Sequence, residues 1–152
     1  MLSLIILLGC SEKDNDTAVE AAEESREDAV EESSFDCTQD YALCSTLSVP
    51  SDFTGTPRNL SIVLYSEIPP QGPPSAVLDQ IDAPDIGLDK DYILELHPIT
   101  ATGEYHLYIS LYMEGGGTWM PESGIDYSLY TEKITFDGSA VDLGNLELLL
   151  TE

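Results

Sequence analysis

Five aspartates, Asp79, Asp82, Asp85, Asp89 and Asp91, crowd one loop-rich stretch around Pro84 and Gly87. Hard carboxylate oxygens at this density could hold Ca²⁺. Their spacing departs from an EF-hand loop, which sets ligands at every second position, and the plainer reading is an acidic, solvated loop. His97 and His106 flank the segment 98–105, so a hairpin there would bring them together on the side of Glu95 and Tyr108. Two histidines and a glutamate suit zinc, although paired strands more often carry ordinary surface histidines. Trp119 follows Gly115-Gly116-Gly117, close in sequence to Tyr108 and Tyr112. These three rings could stack on a sugar or on a partner's proline, or could fill a small β core with their polar tips in water. Catalytic signatures are absent: there is no Gly-x-Ser-x-Gly elbow, no His-Glu-x-x-His helix and no phosphate-cradling glycine loop. A non-enzymatic role is expected.

The three cysteines divide by context. Cys37 and Cys44, spaced Cys-x6-Cys, are expected to form one local disulfide, which persists only in an oxidising compartment. Cys10 ends a short apolar run, Leu2–Leu8, that is too short to span a bilayer as a helix and reads as the close of a signal peptide over residues 1–9.

Leu7-Leu8-Gly9-Cys10 resembles the lipobox of bacterial lipoproteins. That resemblance implies cleavage before Cys10, lipidation of its thiol and acylation of the new amino terminus, and two or more acyl chains anchor firmly where one does not. Leu8 is a less usual lipobox residue than Ala or Ser. The basic residues that customarily open such a leader are missing, which suggests a natural start upstream of Met1. Ser11 in place of Asp after the cysteine resembles the sorting pattern for the outer membrane.

Acidic residues number 29 against 5 Lys and Arg, for a formal net charge of −24. Residues 11–36 hold eleven acids, two bases and almost no core-forming side chains, so residues 10–36 read as a lipidated cysteine followed by a disordered, self-repelling tether. A transient helix over 17–32, capped by Thr17 and Glu20, lacks a packed apolar face. Residues 37–152 carry eighteen acids and three bases. Such a surface would repel a phosphate backbone, which proteins engage with Lys and Arg, and nucleic acid is excluded as an expected partner.

The elements that must position these residues are strands. Tyr105–Glu114 alternates cleanly, with Tyr, Leu, Ile, Leu and Met on one face and His, Tyr, Ser, Tyr and Glu on the other. Leu60–Tyr65 is apolar on both faces. Ala76–Ile81, Tyr92–His97, Thr131–Phe136 and Leu146–Leu150 complete the readable set. Pro69–Pro74 forms a rigid loop, and Asp137-Gly138 marks a turn. The expected fold is all-β: a single small sandwich of about seven strands over residues 37–152, immunoglobulin-like or transthyretin-like, with a partly open barrel as the alternative.

The order Gly103-x-Tyr105, a long strand, Gly115–Gly117, Pro121-x-x-Gly124, Asp126-Tyr127, Phe136-x-Gly138 and Leu143-Gly144 resembles the prealbumin-type modules of the transthyretin-like family. The resemblance spans about residues 58–150 and implies a binding or spacer module with no shared catalytic set. The leading expectation is a lipid-anchored envelope protein, at the outer membrane, that presents its sandwich for protein–protein contact or envelope architecture. Unpaired strand edges and the Gly115–Gly124 loop are the expected contact surfaces. The alternatives are a carbohydrate-binding module using Trp119, Tyr108 and Tyr112, and a Ca²⁺-stabilised adhesion module using the Asp79–Asp91 stretch.

Overall fold

The structure is a computed structural model and describes residues 35–152. Cys10, the leader over residues 1–9 and the acidic stretch as far as residue 34 lie outside the described residues. Among the described residues the regular structure is entirely strand: β1 (Leu43–Ser48), β2 (Pro57–Tyr65), β3 (Ala76–Asp82), β4 (Tyr92–Leu96), β5 (Gly103–Met113), β6 (Tyr127–Phe136), β7 (Val141–Glu147) and β8 (Leu149–Leu150). They build a sandwich of two sheets, a three-stranded one in the order β4-β1-β7 and a five-stranded one in the order β3-β2-β5-β6-β8.

The alternation in β5 sets the inner face of the larger sheet. Leu107, Ile109, Leu111 and Met113 point into the core, and their register partners on β2 are Leu64, Ile62, Leu60 and, past a bulge, Pro57. Leu43, Leu47, Leu94 and Leu96 answer from the smaller sheet. Each such aliphatic side chain, once buried, contributes about 1.5–3 kcal/mol relative to exposure. The chain closes the sandwich by changing sheets. β7 runs parallel to β1, the fully buried Leu148 gives its N–H to the Ser48 carbonyl at 2.9 Å, and β8 then pairs with β6 in the other sheet.

Three features of the sequence reading are corrected. Residues Leu43–Ser48 and the first part of β7 are strands that alternation alone does not reveal, and β6 begins at Tyr127, four residues before the expected Thr131. β4 and β5 do not form a hairpin, because β4 pairs with β1 while β5 pairs with β2 and β6. The turn at Asp137-Gly138 is present: the Asp137 carboxylate accepts the Ser139 N–H at 3.0 Å, and Gly138 takes a φ of 98°.

The expected disulfide joins Cys37 to Cys44 with Cα atoms 5.9 Å apart. It ties the segment entering the domain onto β1, the central strand of the smaller sheet. Tyr41 reinforces this junction by donating its N–H to the Gly138 carbonyl at 2.8 Å and accepting the Ile99 N–H at 2.8 Å. Removing the bond in a Cys37→Ser/Cys44→Ser variant is expected to lower unfolding stability by about 2.5 kcal/mol. Urea denaturation of the folded domain checks the value.

Candidate functional site

The solvent face of the five-stranded sheet is not uniformly polar. Strand register sorts its side chains into rows that cross the strands. One row runs Val77 (β3), Val63 (β2), Tyr108 (β5), Tyr130 (β6), and the next runs Gln80, Ser61, Ser110, Ser128 over the same four strands. A third holds Asp82, Asn59 and Tyr112. Small side chains in the middle row between larger neighbours leave a trough. It has a volume of about 590 Å³, within the range of small-molecule sites.

The wall beyond Tyr112 is the loop after β5, where Thr118, Trp119 and Met120 border the trough. Trp119 is 90% exposed, so it is not a core filler. The loop is held down from both sides. Tyr112 donates its hydroxyl proton to the Trp119 carbonyl at 3.2 Å, and the Arg58 guanidinium donates to the Gly117 carbonyl while lying 6.0 Å from the centre of the Tyr112 ring. Across the trough, Tyr65 and Tyr108 meet edge to face with centroids 5.9 Å apart.

Beneath the loop sits Asp126, with no solvent exposure. One of its carboxylate oxygens accepts the N–H of Met113 and the other accepts those of Gly117 and Glu122, all at 2.7 Å. Three convergent backbone donors satisfy a polar group whose burial would otherwise be costly. The glycines are there for space. A Cβ on Gly116 would overlap the Asp126 carboxylate, and one on Gly117 would overlap the Met120 carbonyl.

Tyr112 and Tyr65 are acidified less than free tyrosine. Burial pushes the Tyr112 phenol above its ordinary value first, and then the neighbouring Tyr108 phenol; Ser110 opposes through a hydrogen bond. Burial and then Tyr108 do the same for Tyr65.

The trough is lined by Trp119, Tyr108 and Tyr112, the three rings of the alternative carbohydrate reading; Tyr112 is buried and Trp119 is exposed. The other expected clusters are dispersed. Asp79 lies on the interior side of the β3 edge, opposite Ile62, where its oxygen accepts the Gln80 N–H at 2.8 Å. It also helps hold up the pKa of Tyr92, after burial. Asp82 faces the opposite way and accepts from the Asn59 amide at 3.1 Å. Asp85 pairs with Lys90, and Asp89 and Asp91 are exposed. Among the described residues no three His, Cys, Asp or Glu side chains converge on a common point. His97, at the end of β4, sits near the Phe35 ring, whereas His106 lies on the trough face of β5 with Nδ1 2.7 Å from the Thr131 carbonyl. With Glu95 on β4 beside His97, the His97–His106–Glu95 grouping is not assembled.

Ser61, Val63, Tyr65, Arg58 and Asp126 are site residues that the sequence reading passed over. The signal for the first three was available: once Leu60, Ile62 and Leu64 face the core, the alternate residues must face outward. No protein-family model, no curated protein and no solved structure matches this chain.

Replacing Asp126 by Asn puts an amide N–H₂ where one of the three donors now ends. The expected loss is about 2–3 kcal/mol of stability, read from urea denaturation. Alkaline pH provides a second test. Because burial raises the folded-state pKa values of Tyr65 and Tyr112 above the ordinary 10.0, their contribution is complete below that pH and is lost as pH rises through the folded values. Unfolding free energy is expected to fall above pH 10, with a shallower fall in Tyr112→Phe.

Proposed function

We propose that this chain is a lipid-anchored protein of the bacterial envelope whose sandwich is a non-catalytic carbohydrate-binding module, with its ligand in the trough of the five-stranded sheet. The observation that carries the reading is that the exposed Trp119 and the half-buried Tyr108 border one trough whose floor is Tyr112, Ser61 and Ser110. A pyranose presents flat C–H faces ringed by hydroxyl groups. Aromatic faces complement the former, the exposed Gln80 amide can give and accept hydrogen bonds to the latter, and the Asn59 amide oxygen can accept one while its N–H₂ is engaged by the Ile81 carbonyl and the Asp82 carboxylate.

The same geometry argues against an extended peptide paired to backbone. The N–H and C=O groups of β2 and β5 are already committed to ladders on both sides, so strand addition would need an outer edge and not this face. The anchor rests on the lipobox-like Leu7-Leu8-Gly9-Cys10 and on the Cys37–Cys44 disulfide, which suits an oxidising compartment outside the cytoplasm. The acidic residues 11–36 would space the module from the membrane, and Ser11 favours the outer membrane.

A glycan array probed with the wild-type protein and Trp119→Ala is the direct test. Binding that falls by about fivefold or more in the variant is expected, since one stacked ring contributes on the order of 1 kcal/mol or more. Absence of binding to any glycan, or binding indifferent to Trp119, refutes the reading. Intact mass of the protein from its native membrane, compared with Cys10→Ala, tests the anchor separately.

A further inference from the structure

The row of small polar residues does not stop at one sugar's width. Gln80, Ser61, Ser110 and Ser128 stand side by side on four adjacent strands. Of these, Gln80, Ser61 and Ser110 line the trough, and with neighbouring strands about 4.8 Å apart they extend for about 10 Å across β3, β2 and β5. That is longer than a single pyranose ring. At the β3 side the row reaches the edge of the sheet, where Gln80 and Val77 are both exposed and no further strand follows among the described residues.

The charge of the lining is also selective. Arg58 and Asp82 are the charged residues bordering the trough, and they carry opposite signs. The Arg58 guanidinium is engaged with the Gly117 carbonyl and the Asp82 carboxylate with the Asn59 amide. Eighteen acids against three bases in residues 37–152 would repel a polyanion at longer range.

From these observations we infer that the trough binds a neutral, linear oligosaccharide of several rings, laid across the strands from the Trp119 wall over β5 towards Gln80 at the β3 edge. The inference rests on the carbohydrate reading above and adds the ligand's charge, length and direction. The open end at β3 lets the chain continue beyond the site, so internal stretches of a polymer are recognised and not only its termini. Trp119 borders the β5 side of the trough, beyond Tyr112, and Gln80 stands at the β3 edge. Rings held near Trp119 are shared by short and long ligands, whereas only a longer chain reaches Gln80.

The test is calorimetric titration of the wild type, Trp119→Ala and Gln80→Ala with cello-, xylo-, malto- and chito-oligosaccharides of one to six units, and with an oligogalacturonate as a polyanionic control. Gln80 is exposed on an edge strand, so its truncation leaves the core intact, and thermal melting confirms that each variant is folded. The expected result is affinity in one neutral series that rises by about tenfold or more between one and three units and then levels off. Trp119→Ala weakens every length. Gln80→Ala weakens the longer members by severalfold and the disaccharide by less. Equal affinity for one unit and six overturns the length claim, and tighter binding of the galacturonate overturns the charge claim. A Gln80→Ala variant that binds all lengths as the wild type does overturns the direction. If no oligosaccharide of any length binds, the carbohydrate reading itself has failed.

Discussion

Asp126 reaches the interior of the protein on a side chain that has no place in an apolar core unless its oxygens are filled. Burying such a group without partners costs several kcal/mol, and three backbone N–H groups meet the requirement. The donors come from the end of β5 and from two points in the following loop, so one carboxylate fixes where that loop travels. Its path then fixes the glycines, because Gly116 and Gly117 pass too close to the Asp126 carboxylate and the Met120 carbonyl to carry a side chain. Trp119 and Met120 stand over the sheet face because the loop is bent back in this way. Arg58 and Tyr112 brace the same loop from the sheet side.

The sandwich itself is a more ordinary solution. Two sheets bury one continuous aliphatic core, and the chain passes between them at Leu148 so that the last strand covers the edge of β6. What distinguishes the larger sheet is that its second face is also partly buried. Val63, Tyr65, Ser61, Ser110 and Tyr112 are covered by neighbouring side chains and not by another layer of secondary structure. The trough is thus an outcome of side-chain size alternating from row to row on a flat surface.

Much of this was legible in the residues. The period of two in Tyr105–Glu114 identified β5 and separated its faces, and placing Tyr108 and Tyr112 on one side brought two rings of the site into view. Cys37 and Cys44 were paired correctly from spacing and context. Leu43–Ser48 escaped because Cys44, Ser45 and Thr46 interrupt the apolar pattern, although Ser45 is buried with its hydroxyl donating to the Gly144 carbonyl at 2.9 Å. The five aspartates illustrate a different failure. Neighbours along a strand point to opposite faces, so Asp79 and Asp82 are close in sequence yet serve different environments. His97 and His106 were brought together only by assuming that consecutive strands pair, and here they enter different sheets. Asp126 had no local signal, since its three partners are assembled only once the loop has folded.

The claim that Asp126 holds the Trp119 loop in place is tested most directly through the chain's single tryptophan. Trp119 fluorescence is titrated with the neutral hexasaccharide that binds best, in the wild type and in Asp126→Asn, at a temperature where both are folded. The account requires a saturable change in the wild type and at least about a tenfold weaker response in the variant. Equal affinity in a folded Asp126→Asn protein would show that the loop and its tryptophan are positioned without this carboxylate, and would contradict it.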